Sequence, residues 1–290
     1  MLVCASAIWG LTFVAQRLGA AYVGPMTFNT VRFVLAALFV CGLIVVLDRR
    51  RGLSRERRRA ATRKALVPGL VCGLILAVAG GLQQAGMTDV TAGDAAFITG
   101  LYMVLVPLAG GLMGHRIGWP VVVGVLAAVA GLYLICVPQA GLTVTGGTWL
   151  VLAGSFFWAA QILFIDRFAK QVSALRFAAA QFIGCAVVSA AFSPLFDARP
   201  FAGIGQAIVP LLFSGVLAGG VAFTLQVVAQ RDALAAHAAL IMALESVFGA
   251  LGGALLLGED MGARGYAGAA LMVAGIVISQ QRRRTPAPEP

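Results

Sequence analysis

"LQQAGMTDVTAGDAAFITGLYMVLVPLAGGLMGHRIGWPVVVGVLAAVAGLYLI", residues 82–135, is repeated in outline by "LQVVAQRDALAAHAALIMALESVFGALGGALLLGEDMGARGYAGAALMVAGIVI", residues 225–278. With one single-residue gap, Gln83 falls on Gln226, Asp89 on Asp232, Gly110 on Gly253 and Gly131 on Gly275. Further upstream "SAIW" (6–9) mirrors "SFFW" (155–158), and "VRF" (31–33) mirrors "LRF" (175–177). Self-similarity on this scale marks a duplicated structural unit. The expected units are residues 1–140 and 141–280, followed by a polar, proline-rich tail at 281–290 expected to be disordered and cytoplasmic.

Composition says which solvent the units live in. The 290 residues are 60% hydrophobic and only 11% charged, against about 25% charged in a soluble domain. Thirty-six glycines suit helices that approach closely in a bilayer, where packing replaces the hydrophobic drive. A hydrocarbon layer about 30 Å thick takes roughly 20 apolar residues per helix. Ten such runs are visible, at 1–19, 27–47, 65–84, 93–113, 119–137, 148–167, 175–194, 207–228, 236–257 and 263–280. No basic region precedes the first of them, so it is expected to be a resident helix and not a cleaved leader. Five crossings per unit is an odd number, so the second copy enters the membrane from the opposite side. The expected fold is an all-α integral membrane protein of ten transmembrane helices, arranged as two inverted five-helix repeats sharing a midplane site.

The net charge of +10 reads as positive loops beside membrane helices and not as a nucleic-acid surface. With a cytoplasmic amino terminus, 17 of the 21 basic residues lie inside, nine of them between Arg49 and Lys64. Arg17, Arg32, Arg199 and Arg264 fall outside. Both termini are therefore expected in the cytoplasm of a cell whose inner (plasma) membrane holds the protein. Five cysteines without metal spacing read as small apolar residues; neither a metal nor a cofactor is expected.

The candidate functional residues are the polar and aromatic ones inside the apolar runs. Trp9 and Trp158 occupy matching positions near the middle of helices 1 and 6, whereas Trp119 and Trp149 stand where an interfacial belt would be. Ser6, Trp9, Phe13 and Gln16 share one helical face, and Ser155, Trp158, Gln161 or Ile162, and Ile165 give the counterpart. These read as two walls of a central cavity; the alternative is helix packing with internal hydrogen bonds. Thr12, Gln83, Gln84, Gln181 and Gln226 offer donors and acceptors without fixed charge.

Helix 9 carries His237, Ile241 and Glu245 at i+4 spacing, and the repeat equivalents on helix 4 are Asp94, Ile98 and Tyr102. Glu245 lies near the bilayer centre, where an ionised side chain costs about 2.5–3.5 kcal/mol, so it must face protein or water. It is the candidate proton site, with a structural hydrogen-bonded carboxyl as the alternative. Asp94 and His237 sit near helix ends, where capping or interfacial solvation is the expected role. Arg32 and Arg176 are repeat mates placed at opposite gates, with snorkelling to headgroups as their expected role. Gly110xxxGly114 and Gly249xxxGly253 read as close-packing seams, and Pro107 is expected to break helix 4.

"SAIWGLTFVAQ", "DAAFITGLYMVLVPL" and "LESVFGALGGALLLGE" resemble the first, fourth and ninth helices of the EamA-type drug/metabolite transporter superfamily. The resemblance covers all ten helices. It implies two inverted five-helix repeats with a cavity between them, and members that mostly export small metabolites such as amino acids, alongside sugar, nucleotide-sugar and drug carriers. The family commonly has Leu-Glu-Pro in the ninth helix; Ser246 stands in place of that proline, which removes the usual reason for a break beside Glu245.

The expected function is a secondary transporter, an exporter of small metabolites and of amino acids above all, working by alternating access. Trp9, Trp158 and Tyr102 would supply aromatic walls, Thr12, Gln16, Gln83, Gln161 and Gln226 hydrogen bonds, and Glu245 the proton site. Its partners would be a small-molecule substrate, the lipid bilayer and protons, with no nucleic acid. Few fixed charges are expected in the cavity, which weighs against phosphorylated substrates. The alternatives are extrusion of lipophilic or quaternary cations, or a sugar or nucleoside-type carrier. No Walker sequence points to ATP, and no HExxH or GxSxG points to an enzyme.

Overall fold

The computed structural model describes residues 1–114, 117–137, 144–257 and 262–280. Among the described residues ten helices are long and apolar enough to cross a membrane: α1 (Leu2–Ala20), α2 (Pro25–Arg50), α3 (Arg55–Gly86), α4 (Gly93–Leu112), α5 (Trp119–Cys136), α6 (Gly146–Phe168), α7 (Ala174–Phe196), α8 (Ile208–Ala229), α9 (Ala235–Gly252) and α10 (Gly262–Ser279). No strand occurs among the described residues. Each of the ten apolar runs thus becomes one helix, with large apolar side chains such as Leu38, Val67, Leu126 and Val187 exposed along the outside, as lipid requires. Trp119 and Trp149, near the ends of α5 and α6, are likewise exposed. The boundary between the two sequence units, residues Arg116 and Arg282 to Arg284, and the tail at 281–290 lie outside the described residues.

Local chemistry sets the helix starts. Pro25 occupies the first turn of α2, where its missing N–H costs nothing. Ser54 caps α3 by accepting from Arg57 N at 3.3 Å. This start corrects the expected loop: Arg55 to Lys64, a basic run, is already helical, because arginine and lysine are good helix formers and Ser54 supplies the cap. Thr91 caps α4 through Asp94 N at 3.0 Å, and Thr145 with Thr148 forms a reciprocal capping box ahead of α6.

Helices α2 and α7 run antiparallel, each fastened at its start by an acid from the far end of the other. Asp197, at the end of α7, accepts from the α2 backbone at Met26 N (3.0 Å) and Thr27 N (2.6 Å) and from the hydroxyls of Thr27 (2.6 Å) and Ser193 (2.8 Å). A carboxylate on a helix N-terminus satisfies orphan donors and favours the dipole. At the other end Asp48 of α2 meets Arg176, in the first turn of α7, at 2.6 Å, and Arg176 also donates to Thr62 Oγ1 at 3.1 Å. Arg176 therefore does not snorkel; it is spent on this ion pair.

Glycines set the closest approaches. A Cβ on Gly131 of α5 would lie 2.5 Å from Gly268 O of α10, and one on Gly124 2.5 Å from Gly275 O, so these two helices cross antiparallel with backbones in contact. A Cβ on Gly10 of α1 would lie 2.5 Å from Glu245 O and 2.6 Å from Gly249 N of α9. The expected seam at Gly110xxxGly114 is corrected: Gly114 lies beyond the end of α4 with φ +88 and nothing within 4 Å of an added Cβ, so it terminates the chain's helical path. Gly249 does pack on Gly10; the surroundings of Gly253 lie outside what the structure describes.

Among the described residues α4 and α9 each carry a tightened turn, and neither turn is where proline predicts it. The helix runs unbroken through Pro107, and the α4 break falls at Leu101. There Leu101 N bonds Ile98 O (3.2 Å) and Val104 N bonds Leu101 O (2.9 Å), a tightened i→i−3 turn. In α9 the break falls at 243–244, directly before Glu245, although Ser246 replaces the proline. Leu244 N bonds Ile241 O (3.1 Å) and Ser246 N bonds Ala243 O (3.2 Å) in the same tightened pattern. Ser6 of α1 shares its hydroxyl proton between Leu2 O (2.9 Å) and the Ile241 carbonyl (3.0 Å), and the Gly10 backbone packs on Glu245 O, so contact with α1 supports the turn that no proline enforces.

The α5–α10 crossing is testable. Gly131→Val should lower the melting temperature in detergent by the equivalent of about 1–3 kcal/mol of overpacking. Gly42→Ala, where an added Cβ meets nothing within 4 Å, should leave it unchanged or raise it.

Candidate functional site

Seven helices enclose one cavity, and its non-atom space, open mouth included, is about 580 Å³. Helix α1 contributes Trp9, Thr12, Phe13 and Gln16; α2 contributes Arg32 and Phe33; α3 gives Gln83. Thr99 and Tyr102 come from α4, and Trp158, Gln161 and Ile162 from α6. Helix α8 adds Ser214, Ala218, Phe223 and Gln226, and α9 adds Met242 and Glu245. None of these lining residues belongs to α5, α7 or α10.

The polar side chains bond mainly to one another, as they must where water is scarce. Trp158 Nε1 donates to Gln83 Oε1 at 2.7 Å, and Gln83 Nε2 donates to Gln16 Oε1 at 3.0 Å. Gln84 donates to the Gln16 carbonyl at 3.1 Å. Across the cavity Gln161 and Gln226 form a reciprocal amide pair, at 3.1 and 3.4 Å. Thr12 spends its hydroxyl proton on Ile8 O at 2.8 Å. The indole of Trp9 donates to Ala218 O at 3.3 Å. That carbonyl lies in an eleven-residue π-helical stretch of α8, Phe213–Phe223; the wider i→i−5 coil is a device found often at functional sites.

Tyr102 OH donates to Glu245 Oε1 at 3.1 Å. These two residues are repeat mates, and each stands immediately after the interruption in its helix. The Glu245 side chain is 5% exposed. Phe223 stacks on Trp158 at 5.9 Å and meets Trp9 edge-on at 4.8 Å, Phe33 at 6.0 Å and Phe182 at 6.1 Å. One phenylalanine thereby ties the two tryptophans into a single aromatic wall.

The structure thus gathers Trp9, Thr12, Gln16, Gln83, Tyr102, Trp158, Gln161, Gln226 and Glu245 into one cavity, together with Arg32. Asp94, His237 and Arg176 stand apart from its wall. Asp94 is buried in the first turn of α4, His237 is half-buried in the first turn of α9, and Arg176 is held by Asp48. Arg32 corrects its expected place at an outer gate. Because α2 begins at Pro25, Arg32 lies seven residues into the helix, roughly 10 Å below its start, and is only 5% exposed. Its guanidinium carbon sits 4.6 Å from the Phe33 ring centre. The cavity therefore holds a fixed cation, which the expectation of few charges omitted.

Phe223, Phe33 and Ser214 escaped the sequence reading because a phenylalanine or serine in an apolar run carries no positional mark. A signal did exist for Phe223. Extending the repeat register two residues upstream pairs it with Gly80, where an added Cβ would lie 2.6 Å from Arg32 Nη2. One half fills the position with a ring, and the other leaves it empty for the guanidinium. Among the described residues no group of three His, Cys, Asp or Glu side chains could hold a metal ion.

With this geometry in hand, comparison with known proteins gives three findings. The profile of the EamA-like transporter family matches residues 1–137 and again 145–280. The chain is 28% identical over 275 residues to an uncharacterized transporter of Archaeoglobus fulgidus, covering 95% of this chain and 83% of the relative. A solved crystal structure superposes with a TM-score of 0.76 at 18% identity, covering 96% of this chain and 95% of the other, which speaks for the fold alone.

Trp158→Phe keeps the ring and removes the bond to Gln83. It should weaken binding of whatever small molecule the cavity takes by several-fold and leave the melting temperature within about 1–2 °C, because Thr99 and Gln16 still bond Gln83. Intrinsic fluorescence titration and thermal melting check both parts; loss of stability alone would make the indole a packing element.

Proposed function

The chain belongs to the EamA-like transporter family, and we propose that it is a secondary transporter exporting small metabolites, amino acids above all, from the cytoplasm across the inner membrane. Family and relative alike speak for transport and against catalysis. In this reading both termini are cytoplasmic and the halves are inverted copies that rock about a shared cavity. Support for the inversion comes from the family profile matching twice and from the antiparallel packing of repeat mates α2 with α7 and α5 with α10.

One observation carries the reading: the Tyr102–Glu245 bond at 3.1 Å. It joins the two halves inside the cavity, at the equivalent residue of each, just beyond the equivalent helix interruption. Tightened turns inside long helices are places where a helix can hinge. A substrate or proton that displaces this bond uncouples two hinges at once, which is what alternating access asks of a central site. The carboxyl of Glu245 is in this reading the proton-carrying group, bound to Tyr102 in one state and exchanged with solvent in another.

Amino acids suit the cavity's mix of amide groups, aromatic walls, one cation and one acid. A second reading, extrusion of lipophilic cations, draws on the Trp9–Phe223–Trp158 wall facing Glu245; Arg32 in the same wall weighs against it. Sugar or nucleoside-type substrates would use the glutamines but leave both charges without a counterpart.

Counterflow into proteoliposomes against amino acids, sugars and quaternary amines tests the substrate class, with amino acids expected to exchange and quaternary amines not. Glu245→Gln should abolish uptake driven by a proton gradient, while amino-acid counterflow persists at weaker apparent affinity. Unchanged gradient-driven accumulation in that variant would make Glu245 a structural carboxyl.

A further inference from the structure

We propose that Arg32 is the carboxylate subsite of the cavity, holding the carboxylate of a zwitterionic amino acid by its Nε and Nη2 edge while Glu245 faces the amino group. This rests on the amino-acid reading above and assigns the charge chemistry of its substrate.

Arg32 Nε and Nη2 are buried, and neither has a hydrogen-bond partner. The two atoms form one edge of the planar guanidinium, and that edge presents two parallel N–H groups at the spacing of a carboxylate's oxygens. The surrounding rings, Phe33 at 4.6 Å and Phe28 at 5.8 Å, hold the plane without supplying negative charge. Arg176, its repeat mate, is paired with Asp48, whereas Arg32 Nε and Nη2 meet no carboxylate of the described residues. A cation kept from water without an anion is costly, and the arrival of an anion relieves that cost.

Two more unspent groups stand in the same wall. Gln16 Nε2 and Ser214 Oγ are buried, line the cavity and have no partner. All four groups can donate hydrogen bonds, which matches a ligand group made of acceptors. The lone arginine matches a single negative charge, and the carboxyl of Glu245 in the same cavity disfavours a multiply charged phosphate. One oxygen of Glu245 is taken by Tyr102; its other oxygen accepts no hydrogen bond among the described residues and suits an ammonium. Between the two charges, the Trp9–Phe223–Trp158 wall accommodates an apolar or aromatic side chain.

The test titrates the purified full chain with L-phenylalanine, L-phenylalaninamide, phenethylamine and 3-phenylpropanoate, reading tryptophan fluorescence and displacement of labelled L-phenylalanine. The wild-type chain should prefer L-phenylalanine to its amide and to phenethylamine by at least about tenfold. Arg32→Gln should erase that preference by weakening the acid alone, and Arg32→Lys should keep only part of it, since lysine retains the charge and loses the fork. Glu245→Gln should weaken L-phenylalanine relative to 3-phenylpropanoate. Arg176→Gln, outside the cavity, should lower stability and leave the acid-to-amide ratio alone. Equal wild-type affinity for acid and amide overturns the subsite even if no Arg32 variant folds, as does an acid preference that survives Arg32→Gln. In the second of those cases the amino-acid reading still stands. If 3-phenylpropanoate binds through Arg32 while no amino acid binds or exchanges, the carboxylate subsite stands and the amino-acid reading falls. Quaternary amines binding in place of all four probes would overturn both.

Discussion

A polar group inside a bilayer has no water to fall back on, and the organisation of this molecule follows from that constraint. The backbone meets it by helix formation. The cavity side chains meet it by bonding to each other, as Trp158, Gln83 and Gln16 do in a chain and Gln161 and Gln226 do as a pair. Such networks are stiff while satisfied and costly when broken. Among the groups left unspent, three stand in the cavity wall: the buried edge of Arg32, the Gln16 amide nitrogen and the Ser214 hydroxyl.

Close packing explains how so many polar groups come within reach. Helices meeting through glycine bring backbones into contact, and at Gly10 that contact falls on Glu245 and Gly249 themselves. The backbone of Glu245 is thus set against α1 while its side-chain carboxyl reaches Tyr102 of α4. The α2–α7 pair is fastened at both ends by acids, Asp48 and Asp197, which leaves Arg32 between the two clasps without an acid of its own. The result is a close-packed frame with a polar centre and two tightened helix turns beside that centre.

The half-to-half differences carry as much meaning as the similarities. Arg32 and Arg176 are mates in sequence, yet one lines the cavity and the other closes an ion pair, because α2 begins seven residues before its arginine and α7 only two before. Gly80 and Phe223 are mates too; the glycine leaves room for the Arg32 guanidinium, and the phenylalanine stacks on Trp158. Where the two halves differ in sequence, the cavity gains a charge-bearing wall.

The ten crossings were legible in the sequence because a hydrocarbon layer demands long apolar runs, and glycine, proline and charge punctuate them. Residue matches between the halves could be read there too, and most of the cavity's polar residues could be picked out because polar side chains in such runs must face protein. Burial depth and partnership were not legible. Where α2 starts decided that Arg32 is buried, packing on α1 and not a proline decided the break beside Glu245, and Gly114 proved a terminator where spacing suggested a seam. Spacing along one helix says which residues share a face; which partner stands opposite that face depends on neighbours distant in sequence, and only the packed bundle brings them together.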